Sequence, residues 1–140
     1  MLATAHPNLA LSAYRQVGVE TGVAAASAHR LVAMLFEGLL DALAQARGAL
    51  LAGRIEEKGR AIGRAVRIVE EGLRAALDEA QGGKLAADLK ALYSYVALRL
   101  TEANLRNDAA ALEECGRLVE PLRNAWQAIA PQGATPDPAR

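Results

Sequence analysis

The sequence predicts an all-α protein: an antiparallel up-and-down four-helix bundle preceded by an N-terminal arm. Ile62, Val66, Val69, Leu73, Ala76 and Ala80 follow one another at alternating steps of four and three, the spacing that buries one face of a helix. Ala111, Cys115, Leu118, Leu122, Ala125 and Ile129 repeat the pattern. The breaks between amphipathic stretches are short, at Gly53, Gly82-Gly83 and Asn107-Asp108, and connections that short force successive helices to run antiparallel.

Residues 1–26 read as the arm. Arg15 and Glu20 are its only charged side chains, and Pro7, Gly18 and Gly22 interrupt any long helical pattern. Leu9, Leu11, Tyr14 and Val17 line one side of a helical turn or two, enough to dock on an apolar surface but not to fold alone. The bundle occupies residues 27–130. Ser27 is the expected cap of its first helix, with Leu31, Leu35, Ala42, Ala46 and Ala49 on one face, Val32, Leu39 and Leu43 flanking, and Gly53 as the stop. The second helix is expected from about Glu56, with Glu56 and Glu57 at its positive end, to Gln81, where Gly82-Gly83 takes the left-handed stop. Leu85, Leu89, Leu92, Val96, Leu100 and Ala103 mark the third helix, closing between Asn104 and Asn107. Asp108 caps the fourth. Pro121 predicts a kink between Arg117 and Pro121, but the stripe stays in phase beyond it, so one bent helix is expected. Residues 131–140, with three prolines and a glycine, read as a disordered tail.

A chain of 140 residues is one domain with a core of its own. Sixteen basic and 16 acidic side chains leave no bulk field to attract nucleic acid or an anionic membrane. No apolar run approaches the roughly 18 residues of a membrane span, and Met-Leu-Ala-Thr-Ala-His-Pro lacks the basic start and apolar stretch of a secretory signal, so the reading is a soluble cytoplasmic protein. Cys115 stands alone within the fourth stripe, which fits a small core filler in a reducing compartment.

No catalytic, metal-binding or cofactor-binding constellation is expected. A di-iron bundle needs Glu-x-x-His pairs, and neither His6 nor His29 has a Glu three residues before it. Glu37 and Asp41, four apart, read as a solvated face. Arg60, Arg64, Arg67 and Arg74 form a row that Glu56, Glu70, Glu71 and Asp78 are spaced to neutralise, notably as Glu56 to Arg60, Arg67 to Glu71 and Glu70 to Arg74. Tyr93 and Tyr95 point in nearly opposite directions on an ideal helix, so at least one lies at a groove or surface. Leu112, Val119 and Trp126 recur every seven residues beside the fourth stripe, and so broad an apolar face means either a deep core or a groove for another helix. Trp126 itself is expected mainly in packing, with its indole N–H finding a polar partner.

Together these pieces resemble the FliS family of flagellar export chaperones. The resemblance rests on Ala13-Tyr14, Val19-Glu20-Thr21, Leu31 to Gly38, Gly82-Gly83, Leu92-Tyr93-Ser94-Tyr95, Arg99-Leu100, Ala103-Asn104, Asp108 and Ala125-Trp126, in that order over residues 13 to 129. Phe36 replaces a usual Tyr, Ser27-Ala28 stands where Ser-Pro is expected, and Pro121 is a departure; all three touch helix entry and packing. The resemblance implies a cytoplasmic bundle that binds the disordered C-terminal segment of flagellin before export, prevents premature polymerisation and catalyses nothing. It leaves room for export-gate components and regulators as further partners. Tyr14, Tyr93, Tyr95, Asn104, Leu112 and Val119 are the candidate partner-binding or groove-capping residues. The competing reading is a structural or regulatory adaptor that self-associates through Leu112, Val119 and Trp126; the expected state is a monomer or weak homodimer.

Overall fold

A computed structural model describes residues 13–14 and 22–129, with side chains in the second range from 27 onward. The expectations for Leu9, Leu11, Val17 and the tail at 131–140 lie outside the described residues. Among these, four helices follow one another: α1 (Gly22–Leu51), α2 (Ile55–Arg67), α3 (Glu79–Arg106) and α4 (Ala109–Ala128). Each packs on the next and α4 returns to α1, which is the up-and-down bundle.

The turns at one end follow the expected chemistry. After α1, Gly53 adopts φ 76°, its N–H donates to the Leu50 carbonyl at 3.1 Å, and the Arg54 N–H reaches the Ala49 carbonyl at 2.8 Å. This is a Schellman close, and it needs the left-handed backbone that glycine supplies without strain. Asn107 ends α3 in the left-handed region, and the Asp108 carboxylate accepts from the Ala111 N–H at 3.2 Å to start α4.

The α1 start differs from expectation. The helix begins at Gly22, so Ser27 lies inside it and caps nothing. Val23-Ala24-Ala25-Ala26 contains no helix breaker and is dominated by the strongest helix former, so the helix extends back through it. Its buried line also shifts by one position, running through Val32, Phe36, Leu39, Ala42, Leu43, Ala46 and Ala49, while Leu31 is 47% exposed.

The α2–α3 junction is the larger correction. α2 passes into a π-helical segment, Ile68–Arg74, in which the Ala75 N–H donates five residues back to the Glu70 carbonyl at 3.2 Å. A π segment adds a residue to the turn and so moves the apolar stripe by one place. Leu77 is consequently buried, while Ala80 is exposed. The helix stops there, and the Asp78 carboxylate caps the next turn by accepting from the Gln81 N–H at 3.2 Å. Gly83 then bends the chain with φ 56° and ψ −134° before α3 continues. Gly82-Gly83 therefore shape the first turn of α3 and do not end α2.

In α4 the heptad set is the core: Leu112, Val119 and Trp126 are 2%, 1% and 4% exposed, with Ala111 and Cys115 fully buried. Leu118, Leu122, Ala125 and Ile129 are only partly covered. The helix runs unbroken through Pro121, as one helix and with the proline on its exposed side. Of the expected Arg–Glu neutralisations on α2 and the π segment, only Glu70 with Arg74 forms, at 3.9 Å; Arg64 turns to Gln45 on α1 at 3.4 Å.

Candidate functional site

At the end of the bundle where α1 begins and α4 finishes, the side chains converge on a piece of the arm. Tyr14 is 4% exposed, and its ring meets Trp126 edge-on at 5.4 Å and 75°. Its hydroxyl lies 2.5 Å from that of Tyr93, which is completely buried on the inner face of α3. Burial pushes the pKa of both phenols upward, so both stay protonated. The main chain is held as well: the Asp78 N–H donates to the Ala13 carbonyl at 2.6 Å. Gly82 makes room for this approach, since a Cβ there would lie 2.6 Å from the Ala13 Cα.

Trp126 is fixed by a reciprocal pair of contacts with α1. Its indole N–H donates to the His29 carbonyl at 2.9 Å, and the His29 ring stacks on the indole at 5.0 Å and 15°. His29 Nε2 lies 3.1 Å from the Trp126 carbonyl oxygen, which can only accept, so this nitrogen carries a proton. The slot that receives Tyr14 is thus built from α1, α3 and α4.

The remaining candidates are placed differently. Tyr95 is 41% exposed, and its hydroxyl donates to Glu114 on α4, which also takes the Arg99 guanidinium at 2.8 Å. The Tyr95 hydrogen bond and then the Arg99 hydrogen bond hold the Glu114 carboxyl below the usual range. Asn104 is exposed and already holds a partner on α2: Lys58 Nζ donates to its carbonyl at 2.9 Å and to its side-chain oxygen at 2.7 Å. Lys58, only 3% exposed, places a positive charge at the negative end of α3. Leu112 and Val119 are in the core, so the structure does not present them to a partner, and the self-association stripe loses its surface. Glu37, read as solvated, accepts from Arg123 at 2.9 and 3.0 Å and from Gln127 at 2.9 Å, joining α1 to α4.

One feature was missed in the sequence. On the outer face of α3, Ala87, Ala91, Ser94, Leu98, Thr101 and Leu105 are all exposed and succeed one another at steps of four, three, four, three and four. Leu98 is 56% and Leu105 79% exposed. No charged residue stands in this row. The two hydroxyls turn back onto their own helix, Ser94 to the Lys90 carbonyl at 3.0 Å and Thr101 to the Ala97 carbonyl at 2.9 Å, so the row offers a partner an essentially apolar strip. The signal was legible: the same spacing used for buried stripes, on the opposite side of the helix.

A family model described as flagellar protein FliS matches residues 10–133. The chain belongs to the FliS family. It is 44% identical over 124 residues to the flagellar secretion chaperone FliS of Salmonella typhimurium, covering 89% of this chain and 92% of the relative. It is 45% identical over 120 residues to the flagellar secretion chaperone FliSB of Pseudomonas aeruginosa, covering 86% and 94%, and 32% identical over 116 residues to FliS of Bacillus subtilis, covering 83% and 82%. FliS proteins are flagellar secretion chaperones and not enzymes. Within this FliS bundle Cys115 is fully buried, and burial pushes its thiol up to about 11, which suits packing and not nucleophilic chemistry. None of the described helices is long and apolar enough to cross a membrane.

Proposed function

We propose that this chain is a cytoplasmic export chaperone that binds the disordered C-terminal segment of flagellin, prevents its premature polymerisation and delivers it to the export apparatus. The observation that carries this reading is the uncharged row on the outer face of α3. Leu98 and Leu105 are among several exposed large apolar side chains, and what sets them apart is their place in one uncharged row whose alternating steps of four and three fit the apolar face of a second helix. A client segment that orders as it binds buries ~1,000 to 3,000 Å² and costs roughly 2 to 5 kcal/mol in ordering, which gives broad coverage with a reversible complex. The arm belongs to the same mechanism. Ala13-Tyr14 fills the slot at Tyr93 and Trp126, on the other side of α3 from the outer row, and a second stretch of the flagellin segment displaces it there. Export-gate components and regulators are further partners in this reading.

Binding of this kind is driven by apolar contact, so affinity for flagellin is expected to persist in about 1 M salt, where the Debye length falls to roughly 3 Å. Titration with intact flagellin and with flagellin lacking its C-terminal segment, with the complex mass followed in solution, tests the proposal. Tight one-to-one binding of the intact protein and none of the truncated one is expected; equal binding of both would overturn it, and a growing homo-oligomer without client uptake would favour the adaptor reading.

A further inference from the structure

The slot contains two phenol hydroxyls and no other hydrogen-bond partner for either among the described residues. Facing each other at 2.5 Å, they share one hydrogen bond, so Tyr14 is the partner of the Tyr93 hydroxyl among the described residues. Tyr93 is completely buried and Tyr14 nearly so, so the pair is closed off from bulk solvent. Once Tyr14 leaves, the Tyr93 hydroxyl must be covered by whatever enters. An apolar side chain there would strand a buried donor, whereas a charged one would lose its hydration against Trp126 and the apolar core.

We infer that the Tyr93 hydroxyl is a specificity point of the client site, selecting a segment that places a neutral hydroxyl or amide side chain (Ser, Thr, Asn or Gln) against it within an otherwise apolar face. This rests on the reading above that the client displaces the arm. It assigns to α3 two separate tasks: its outer row supplies length of apolar contact, and Tyr93 on its inner face checks one polar position. A mispaired segment is rejected because it leaves a hydroxyl stranded, which is worth about five- to 100-fold in affinity.

The test uses the full chain and a synthetic peptide of the flagellin C-terminal segment, with affinity read by calorimetry and folding by melting temperature. Tyr14→Phe strands the Tyr93 hydroxyl beneath the arm and leaves the client's partner intact, so peptide affinity is expected to rise about fivefold. The double variant Tyr14→Phe/Tyr93→Phe restores an apolar seal for the arm and removes the group the client pairs with. Its peptide affinity is expected to fall at least fivefold below the unsubstituted chain, and to recover when one Ser, Thr, Asn or Gln of the peptide is replaced by alanine or valine. A double variant that binds as tightly as the unsubstituted chain overturns the inference while leaving arm displacement standing. An unchanged affinity for Tyr14→Phe overturns both. Should the double variant melt early, the peptide scan decides alone: on the unsubstituted chaperone one neutral polar position must lose several-fold, and that loss must vanish on Tyr93→Phe.

Discussion

Trp126→Ala is expected to destabilise the protein by about 3 to 5 kcal/mol, the range for removing a large buried aromatic, and to lower its melting temperature on the order of 10 to 20 °C. The side chain is 4% exposed and touches both the arm and the start of the bundle. Its removal deletes the stack with His29, the edge contact with Tyr14 and the hydrogen bond to the His29 carbonyl, leaving that carbonyl without its indole donor. The loss therefore combines a cavity with an unpaired polar group. Thermal unfolding followed by circular dichroism checks it. An unchanged melting temperature with client binding abolished would instead place the indole in the client site.

Gly82→Ala has the opposite character, because it strikes the arm. A Cβ at this position would lie 2.6 Å from the Ala13 Cα and 2.9 Å from its Cβ, and backbone cannot swing aside as the end of a flexible side chain can. Ala86 Cβ, at 2.8 Å, adds a second overlap within the bent first turn of α3. Exchange of glycine for alanine in a helix would by itself stabilise by about 1 kcal/mol, so any fall in stability reports the clash. The expected result is expulsion of Ala13-Tyr14 from the slot and a rise in client affinity on the order of tenfold, since the closed form no longer competes. Protection from hydrogen exchange of the Asp78 amide, which donates to the Ala13 carbonyl, measures the expulsion directly. Retained protection with unchanged affinity would show that the arm does not gate the site.

Where local chemistry decided the structure, the sequence was readable. Gly53, Asn107 and Asp108 are each adapted to one backbone conformation or one cap, and each adopts it. The divergence of Tyr93 and Tyr95 followed from helical geometry alone, and one is buried while the other lies at the surface. The π segment was not readable, because one added residue leaves no mark in composition; it shows only as Leu77 buried where the regular stripe continues to Ala80. Gly82-Gly83 misled for a related reason. Two glycines suggest a stop, yet here one accommodates the arm and the other bends α3.

Side chains whose partners lie far away in sequence were the least legible. Lys58 sits in a charged run with Glu56, Glu57 and Arg60 and looks solvated, but it is covered where it bonds Asn104 at the end of α3. His29 and Trp126 are 97 positions apart, and nothing local announces their stack. On α4 two adjacent apolar stripes competed for the core, and neighbours on α1 and α3, not periodicity, selected Leu112, Val119 and Trp126. The outer row of α3 was legible by the same arithmetic, but the buried stripe of that helix masked it.

In the proposed complex, flagellin's C-terminal segment lies along this outer row. Leu98→Asp with Leu105→Asp alters two side chains that are 56% and 79% exposed, so the melting temperature is expected to stay within about 2 °C. Calorimetric titration of this double variant with the flagellin C-terminal peptide is the direct measurement. Affinity is expected to fall at least tenfold with the bundle intact, and affinity equal to that of the unsubstituted chain would place the client elsewhere on the bundle.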